Sequence, residues 1–163
     1  MKSRTSKWFE TSVRYERQGE EGLMKKVNEL YVVEALSFGE AEVMITQEMS
    51  SYVSGEFEVK NITPTSYGEI FFSDNSNDDR WYKARLSFIT IDEKTEKEKR
   101  TSVYYLVQAS TFNGAVNNIE KVMSGTMIDY VISNITETKI MDVYTHDEII
   151  KSNATDDKPE YEQ

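Results

Sequence analysis

Apolar residues at helical spacing occur twice along the chain, each time between stretches in which apolar and polar residues alternate. Both stripes have the spacing i, i+3, i+7, i+11 of a single helix face. Their positions are Phe38, Ala41, Ile45 and Met49, and then Phe112, Ala115, Ile119 and Met123. Ser37 and Thr111 stand just before the two stripes, where a hydroxyl group can accept from a free backbone amide. The pattern predicts helices over residues 38–51 and 112–124.

The two stripes belong to a longer internal repeat. Tyr31 recurs 74 residues later as Tyr105, and the offset holds through the helix; Trp8 recurs 73 residues later as Trp81. Alternating patterns predict strands at residues 7–16, 27–35, 55–63 and 67–72, and again at 81–92, 101–109, 127–135 and 138–144. The matched positions are those expected to face the core, so we interpret the likeness as a true repeat rather than as chance similarity of two α+β segments.

The pattern therefore predicts an α+β protein of two tandem, related ββαββ halves. Mostly antiparallel sheets, each covered by one helix, would be related by a pseudo-two-fold axis. We place the first half at residues 1–72, beginning with a flexible basic lead, and an acidic linker, SDNSNDDR, at 73–80. The second half is expected at 81–150, and a disordered acidic tail at 151–163.

The face of each predicted sheet that points away from its helix is not cleanly polar. Leu30, Val32, Tyr104 and Leu106 are expected on that face. A sheet that is apolar on both faces needs a second partner. We expect that partner to be the other half of the chain, with a homodimer interface as the alternative.

Composition narrows the classes of chemistry. The chain has 163 residues, no cysteine and a formal net charge of −10, from 19 Lys+Arg and 29 Asp+Glu. The acidic balance gives no general attraction to nucleic-acid phosphates, although a local basic patch remains compatible with it. The absence of cysteine fits a reducing cytoplasm, and no apolar run reaches the length that spans a bilayer.

Residues typical of catalysis are scarce. The chain has one histidine, His146, beside two acidic residues, which is more often a surface feature than a metal site. With no cysteine and no second histidine, a Ser-His-Asp or Cys-His arrangement is nearly ruled out. Asp74, Asp78 and Asp79 are weak candidates for a Mg²⁺ site, although acidic linkers commonly serve solvation alone. No nucleotide-binding glycine motif is present and no cofactor is expected.

One constellation suggests binding. Trp8 with Arg14, and Trp81 with Lys83 and Arg85, would place an indole and cations on one strand face in each half. Aromatic and cationic side chains together can hold single-stranded nucleic acid on a sheet. The alternative is that both tryptophans pack in the core or between the halves, which is the more usual reason for repeated positions.

Long distinctive strings give a resemblance to a known family. They include SRTSKWFETSVRYER, YVVEALSFGEAE, RWYKARLSFITIDEKTEKEKR and GTMIDYVISNITETKIMDVY. Over roughly residues 3–146 the chain resembles an uncharacterised family, a domain of unknown function, of Bacteroidota and their bacteriophages. The resemblance implies a bacterial or phage cytoplasmic origin and carries no catalytic residues.

The sequence thus favours a non-enzymatic binding or interaction protein, such as an accessory factor of a phage or mobile element. We expect a protein partner or self-association, and we expect no association with a membrane. The alternative is a single-stranded nucleic-acid-binding protein that uses the strand-borne tryptophans and cations. A third hypothesis, a metal-dependent hydrolase, would use the three aspartates of the linker.

Overall fold

The computed structural model describes residues 1–146, and residues 147–163 lie outside this description. Nine strands and two helices follow one another within the described part of the chain. Their bounds are β1 Lys2–Arg4, β2 Trp8–Gln18, β3 Met24–Glu34, α1 Phe38–Tyr52, β4 Phe57–Pro64, β5 Tyr67–Phe72, β6 Arg80–Ile91, β7 Glu98–Ala109, α2 Phe112–Met123, β8 Tyr130–Glu137 and β9 Ile140–Tyr144. Neither helix has the length and apolar character needed to cross a lipid bilayer.

The described chain divides into two compact units, which we call unit 1 and unit 2. Unit 1 comprises Met1–Ser6 and Ser66–Lys139. Its five-stranded sheet has the order β1-β5-β7-β6-β8, in which only the β5–β7 pair is parallel. Helix α2 packs on one face of this sheet. The buried residues of that core are Phe71, Ala84, Leu86, Val107, Ile119 and Met123.

Unit 2 comprises Lys7–Thr65 and, within the described chain, residues 140–146. Its four-stranded sheet has the order β4-β2-β3-β9, in which only the β3–β9 pair is parallel. Helix α1 packs against β2, β3 and β4. The core between this helix and the sheet includes the strand residues Phe9, Val13, Tyr31 and Val33 and the helix residues Ala41, Ile45 and Met49.

Both helices begin where the hydroxyl residues predicted them. Ser37 Oγ accepts from the Glu40 amide at 3.1 Å, and Thr111 Oγ1 accepts from the Gly114 amide at 3.0 Å. Each hydroxyl satisfies an amide that has no partner inside its helix, which fixes the first turn. The capping prediction is confirmed at both helices.

The strand pairing of the two units follows the internal repeat residue by residue. Trp8 pairs with Glu34 as Trp81 pairs with Gln108, and both positions agree with the sequence offsets. The bulge at Lys60 of β4, which lies opposite Ser12 and Val13 of β2, recurs at Ser133 of β8, opposite Arg85 and Leu86 of β6. Positions at the two offsets therefore have equivalent places in the two sheets, and we call them counterparts.

The fold class is confirmed as α+β. The described residues form two helices and two mixed sheets, and strands predominate. The division of the chain differs from the predicted one, because β5 pairs with β7 and β9 pairs with β3. Unit 1 therefore takes β5 from the first predicted half, and unit 2 takes β9 from the second. Alternation identifies a strand and its buried face, but it carries no information about which parallel neighbour the strand joins.

Two further segments differ from expectation. The expected flexible lead contains β1, where Lys2 to Arg4 pair with Phe72 to Ile70. The predicted linker 73–80 lies inside unit 1, and the Ser73 amide donates to Gln108 Oε1 at 2.9 Å. The segment between β5 and β6 is a loop, and a polar loop need not separate two units. The predicted tail 151–163 lies outside the described residues.

Candidate functional site

The two tryptophans of the predicted binding constellation are buried. Trp8 is 2% exposed and Trp81 is 1% exposed. The ring of Phe72 meets the Trp81 indole edge-on, with 5.5 Å between centroids. Since a stacking base needs an open aromatic face, neither indole offers one in this conformation. The packing alternative weighed for the repeated tryptophans agrees with this burial.

The predicted cations do not form one group. Lys83 and Arg85 lie on β6 of unit 1, where they pair with Leu106 and Tyr104 of β7. Arg14 lies on β2 of unit 2, and its counterpart in unit 1 is the neutral Ser87. Arg14 instead lines a separate cleft that also contains three carboxylates, Glu16, Glu56 and Glu58.

Lys83, Arg85, Tyr104, Asn134 and Thr136 line a small cleft of unit 1, which we call the cationic cleft. Its volume is about 220 Å³, room for a small group rather than for a whole metabolite. Asn134 and Thr136 reach the cleft from β8 because they pair with Arg85 and Lys83 across the sheet. Successive side chains alternate between faces, so these residues all lie on the face away from α2.

Neutral contacts hold the two cations in place. Lys83 Nζ lies 5.0 Å from the centre of the Tyr104 ring and 5.9 Å from that of Tyr67. The electron-rich ring faces attract an ammonium group without neutralising its charge. The Arg85 guanidinium donates to Ser102 Oγ from Nη2 at 3.1 Å. The cations are thereby positioned while their charge remains available.

No carboxylate of residues 1–146 lies within ion-pairing distance of Lys83 or Arg85. This is notable in a chain that has ten more acidic than basic residues. Arg85 is exposed and Lys83 is half-buried. Two neighbouring cations with neutral hydrogen-bond donors beside them have the chemistry that a carboxylate or phosphate group requires of its partners.

The counterpart face of unit 2 has a different character. Glu10 stands where unit 1 has Lys83, Ser12 where it has Arg85, and Leu30 where it has Tyr104. The β4 residues Asn61 and Thr63 match Asn134 and Thr136. The same backbone register therefore carries two cations in unit 1 and one carboxylate in unit 2.

The three candidate metal-binding aspartates are not brought together as ligands. Asp74 accepts from the amino group of Met1 at 2.7 Å, and this hydrogen bond lowers the pKa of its carboxyl group. Asp78 accepts from the Ser73 hydroxyl. Within residues 1–146, no group of three or more histidine or carboxylate side chains is arranged to hold a metal ion.

His146 pairs with the first turn of α1. Its Nε2 lies 3.2 Å from Glu40 Oε1, and its backbone amide donates to Glu34 Oε1 at 2.9 Å. The two acidic residues that follow His146 lie outside the described residues.

A buried carboxylate on the helix side of unit 2 was not singled out from the sequence. Glu29 is 7% exposed, and its Oε1 accepts from the hydroxyls of Tyr15 at 2.5 Å and Tyr31 at 3.3 Å. Burial, and then the neighbouring Glu29, raise the pKa of both phenols above the usual value. The sequence signal that could have revealed Glu29 was its position on the buried face of an alternating strand. Glu29 supports the core, because both donors are core residues.

Asn134 and Thr136 were also not predicted as cleft residues. Their repeat with Asn61 and Thr63 was visible in the sequence, and it marks their common position on the outer strands. Whether those side chains lie on the same sheet face as Lys83 depends on strand register, which the sequence of a single strand does not reveal.

Together, the fold and the cleft define an α+β chain with two mixed sheets, one of which carries a small cationic site. The chain belongs to the family described as a domain of unknown function, DUF4494, whose model matches residues 7–146. The resemblance to an uncharacterised family is thereby confirmed. No curated protein and no solved structure matches the chain.

Proposed function

We propose that this chain is a non-enzymatic binding protein that holds an anionic group of its partner in the cationic cleft of unit 1. One observation carries the proposal: Lys83 and Arg85 lie side by side on β6 without a carboxylate partner among the described residues. Two cations without a nearby anion repel each other, and an anion that binds both of them relieves this repulsion.

The chemistry of the lining residues suits binding rather than turnover. Lys, Arg, Tyr, Asn and Thr all supply hydrogen-bond donors that can hold an anionic group. The lining has no histidine, which is the side chain that most often transfers protons in catalysis, and no carboxylate. A cleft of about 220 Å³ also suits one carboxylate or phosphate group of a larger partner.

The alternative function, single-strand nucleic-acid binding, has weaker support. Lys83 and Arg85 could contact phosphates, but burial removes Trp8 and Trp81 as stacking surfaces. The formal net charge of −10 adds long-range repulsion. We expect tryptophan emission to be blue-shifted and unchanged when a mixed-sequence single-stranded oligonucleotide is added at low salt; salt-sensitive quenching would favour this alternative.

The wider biological setting is also a proposal. Sequence resemblance supports an accessory protein of Bacteroidota or of their phages, active in the cytoplasm of the bacterial cell. The internal repeat further suggests descent from two tandem copies of a ββαββ segment, since the counterparts of the two units agree in register and in their bulges.

Thermal denaturation with added anions tests the proposed function. A ligand that binds only the folded state raises the melting temperature as its concentration rises. We expect inorganic phosphate or acetate, at constant ionic strength against chloride, to stabilise the protein. The double variant Lys83→Glu, Arg85→Ser carries the residue types that unit 2 has at the counterpart positions. Its melting temperature should no longer rise when the anions are added. No stabilisation by either anion, or equal stabilisation of the variant, would overturn the proposal.

A further inference from the structure

The outer strands β4 and β8 are counterparts and share a bulge, yet β4 also carries an ion pair and a proline along its edge. Charged side chains and proline discourage another strand from pairing with an exposed edge. In β4, Glu58 and Lys60 form an ion pair at 3.5 Å, and Pro64 ends the strand. Their counterparts in β8 are Val131, Ser133 and Glu137. From Tyr130 to Thr136, β8 contains neither charge nor proline.

Hydrogen bonding shows which backbone groups of β8 face outward. The Thr138 amide donates to the Trp81 carbonyl at 2.9 Å, toward β6. Inward-facing and outward-facing residues alternate along an antiparallel strand. Thr136 and Asn134 therefore also face β6, while the amides of Ile135 and Glu137 face away. Among residues 1–146, no strand pairs with this outer edge of β8.

The open edge is continuous with the cationic cleft. Asn134 and Thr136 belong to β8 and line the cleft beside Arg85 and Lys83. A strand added to β8 would lie about 10 Å from β6, twice the usual spacing of neighbouring strands. A glutamate of the added strand and a cation of β6 can span that distance over Asn134 and Thr136.

We propose that β8 binds an extended segment of a partner protein that places an acidic side chain at Lys83 and Arg85. The inference rests on the proposed function and adds the class of partner. Backbone hydrogen bonds to Ile135 and Glu137 supply affinity that is independent of sequence. The cationic cleft supplies the selection for an acidic residue, as in other strand-addition complexes.

Charge argues against a second copy of this chain as the occupant. Two copies paired through β8 would extend one continuous sheet. Their cationic clefts would then approach each other on a common face, where Lys83 and Arg85 of both copies would repel. An acidic segment instead compensates these charges.

Fluorescence anisotropy with a labelled hexapeptide of defined sequence tests the inference. The peptide acetyl-Val-Thr-Glu-Val-Thr-Val-amide is rich in strand-forming residues and acidic, and a version with Gln in place of Glu is its neutral match. We expect the full-length protein to bind the Glu peptide at least ten times more tightly. Hydrogen exchange in the complex should show new protection at the amides of Ile135 and Glu137.

Protected-edge variants identify the binding strand. The double variant Val131→Glu, Ser133→Lys transfers the ion pair of β4 to β8, and Glu137→Pro transfers its proline. Each should weaken peptide binding at least tenfold without altering stabilisation by phosphate. The matched control, Asn113→Glu with Asn117→Lys, places the same charges on the exposed face of α2 and should bind the peptide like the unaltered protein.

The outcomes separate the two proposals. If phosphate stabilises the protein but the peptide does not bind, or binds the protected-edge variants equally well, the edge inference fails and the proposed function stands. If phosphate does not stabilise the protein and the peptide does not bind, both the proposed function and the edge inference fail. A concentration-dependent dimer that the protected-edge variants abolish would also overturn the inference, because β8 would then pair with a second copy.

Discussion

At the positions that line the cationic cleft, the sheet faces of the two units that point away from the helices have the same backbone register and opposite charge. Lys83, Arg85 and Tyr104 of unit 1 correspond to Glu10, Ser12 and Leu30 of unit 2. The identical counterparts Trp8 and Trp81 are both buried. The comparison teaches that one strand register can carry different charges, because three side chains at these positions differ between the units.

The sheet faces that point toward the helices also differ between the two units, here in the polarity of their buried side chains. Unit 2 buries the polar set of Tyr15 and Glu29, whereas unit 1 has the apolar counterparts Phe88 and Val103. Unit 2 therefore depends on an internal hydrogen-bond network, and unit 1 depends on apolar packing alone at the same place. This contrast leads to the largest expected effect of a single substitution.

Replacing Glu29 with valine, the residue type of unit 1, should lower the free energy of unfolding by about 3 kcal/mol, because two buried hydroxyls lose their acceptor. Adding Tyr15→Phe, which completes the unit 1 pattern, should restore part of the loss. Urea denaturation of the single and double variants measures both effects. A Glu29→Val protein as stable as the unaltered one would show that the hydrogen bonds contribute nothing.

Alkaline pH should destabilise unit 2 before unit 1. Burial raises the pKa of Tyr15, Tyr31 and Tyr144 in unit 2 and that of Tyr105 in unit 1. The unfolded chain ionises near pH 10 while the buried phenols stay neutral, so stability is complete below that pH and falls above it. The loss is about 0.8 kcal/mol per shifted tyrosine at pH 10.5.

Hydrogen exchange followed from pH 8 to 10.5 would measure this order after correction for the intrinsic exchange rate. Amides of β2 and β3 should lose protection at lower pH than those of β6 and β7. The opposite order would contradict the assigned environments of the tyrosines.

Moving the cleft from one unit to the other should have the smallest effect. The triple variant Glu10→Lys, Ser12→Arg, Leu30→Tyr gives unit 2 the side chains of unit 1. It should gain a second phosphate site with an affinity within about tenfold of the first, or 1.4 kcal/mol. Calorimetry of the triple variant in the Lys83→Glu, Arg85→Ser background isolates the new site. A stable variant without binding would show that side-chain identity at these positions is insufficient.

Much of the local structure could be predicted because its causes are local. Ser37 and Thr111 marked both helix starts, and apolar spacing gave the buried residues Ile45 and Ile119. The partners of β5 and β9 could not be predicted. Both strands are short, with only five or six residues, and the choice between parallel neighbours depends on how the whole chain packs.

The candidate site was predicted in part. Lys83 and Arg85 share a face because residues two apart in a strand do so. The assignment of Arg14 to an equivalent site ignored its register, which places it opposite Asn28, as Ser87 lies opposite Ser102. Asn134 and Thr136 join the cleft only through long-range pairing, which a pattern along one strand does not contain.

The most direct test of the central claim is a phosphate titration of the ¹⁵N-labelled protein followed by amide chemical shifts at constant pH and ionic strength. We predict saturable shifts confined to the cleft of unit 1, at Lys83, Arg85, Asn134 and Thr136, with the counterparts Glu10, Ser12, Asn61 and Thr63 unmoved. Equal shifts at both sets of positions, or none at the first set, would contradict the account.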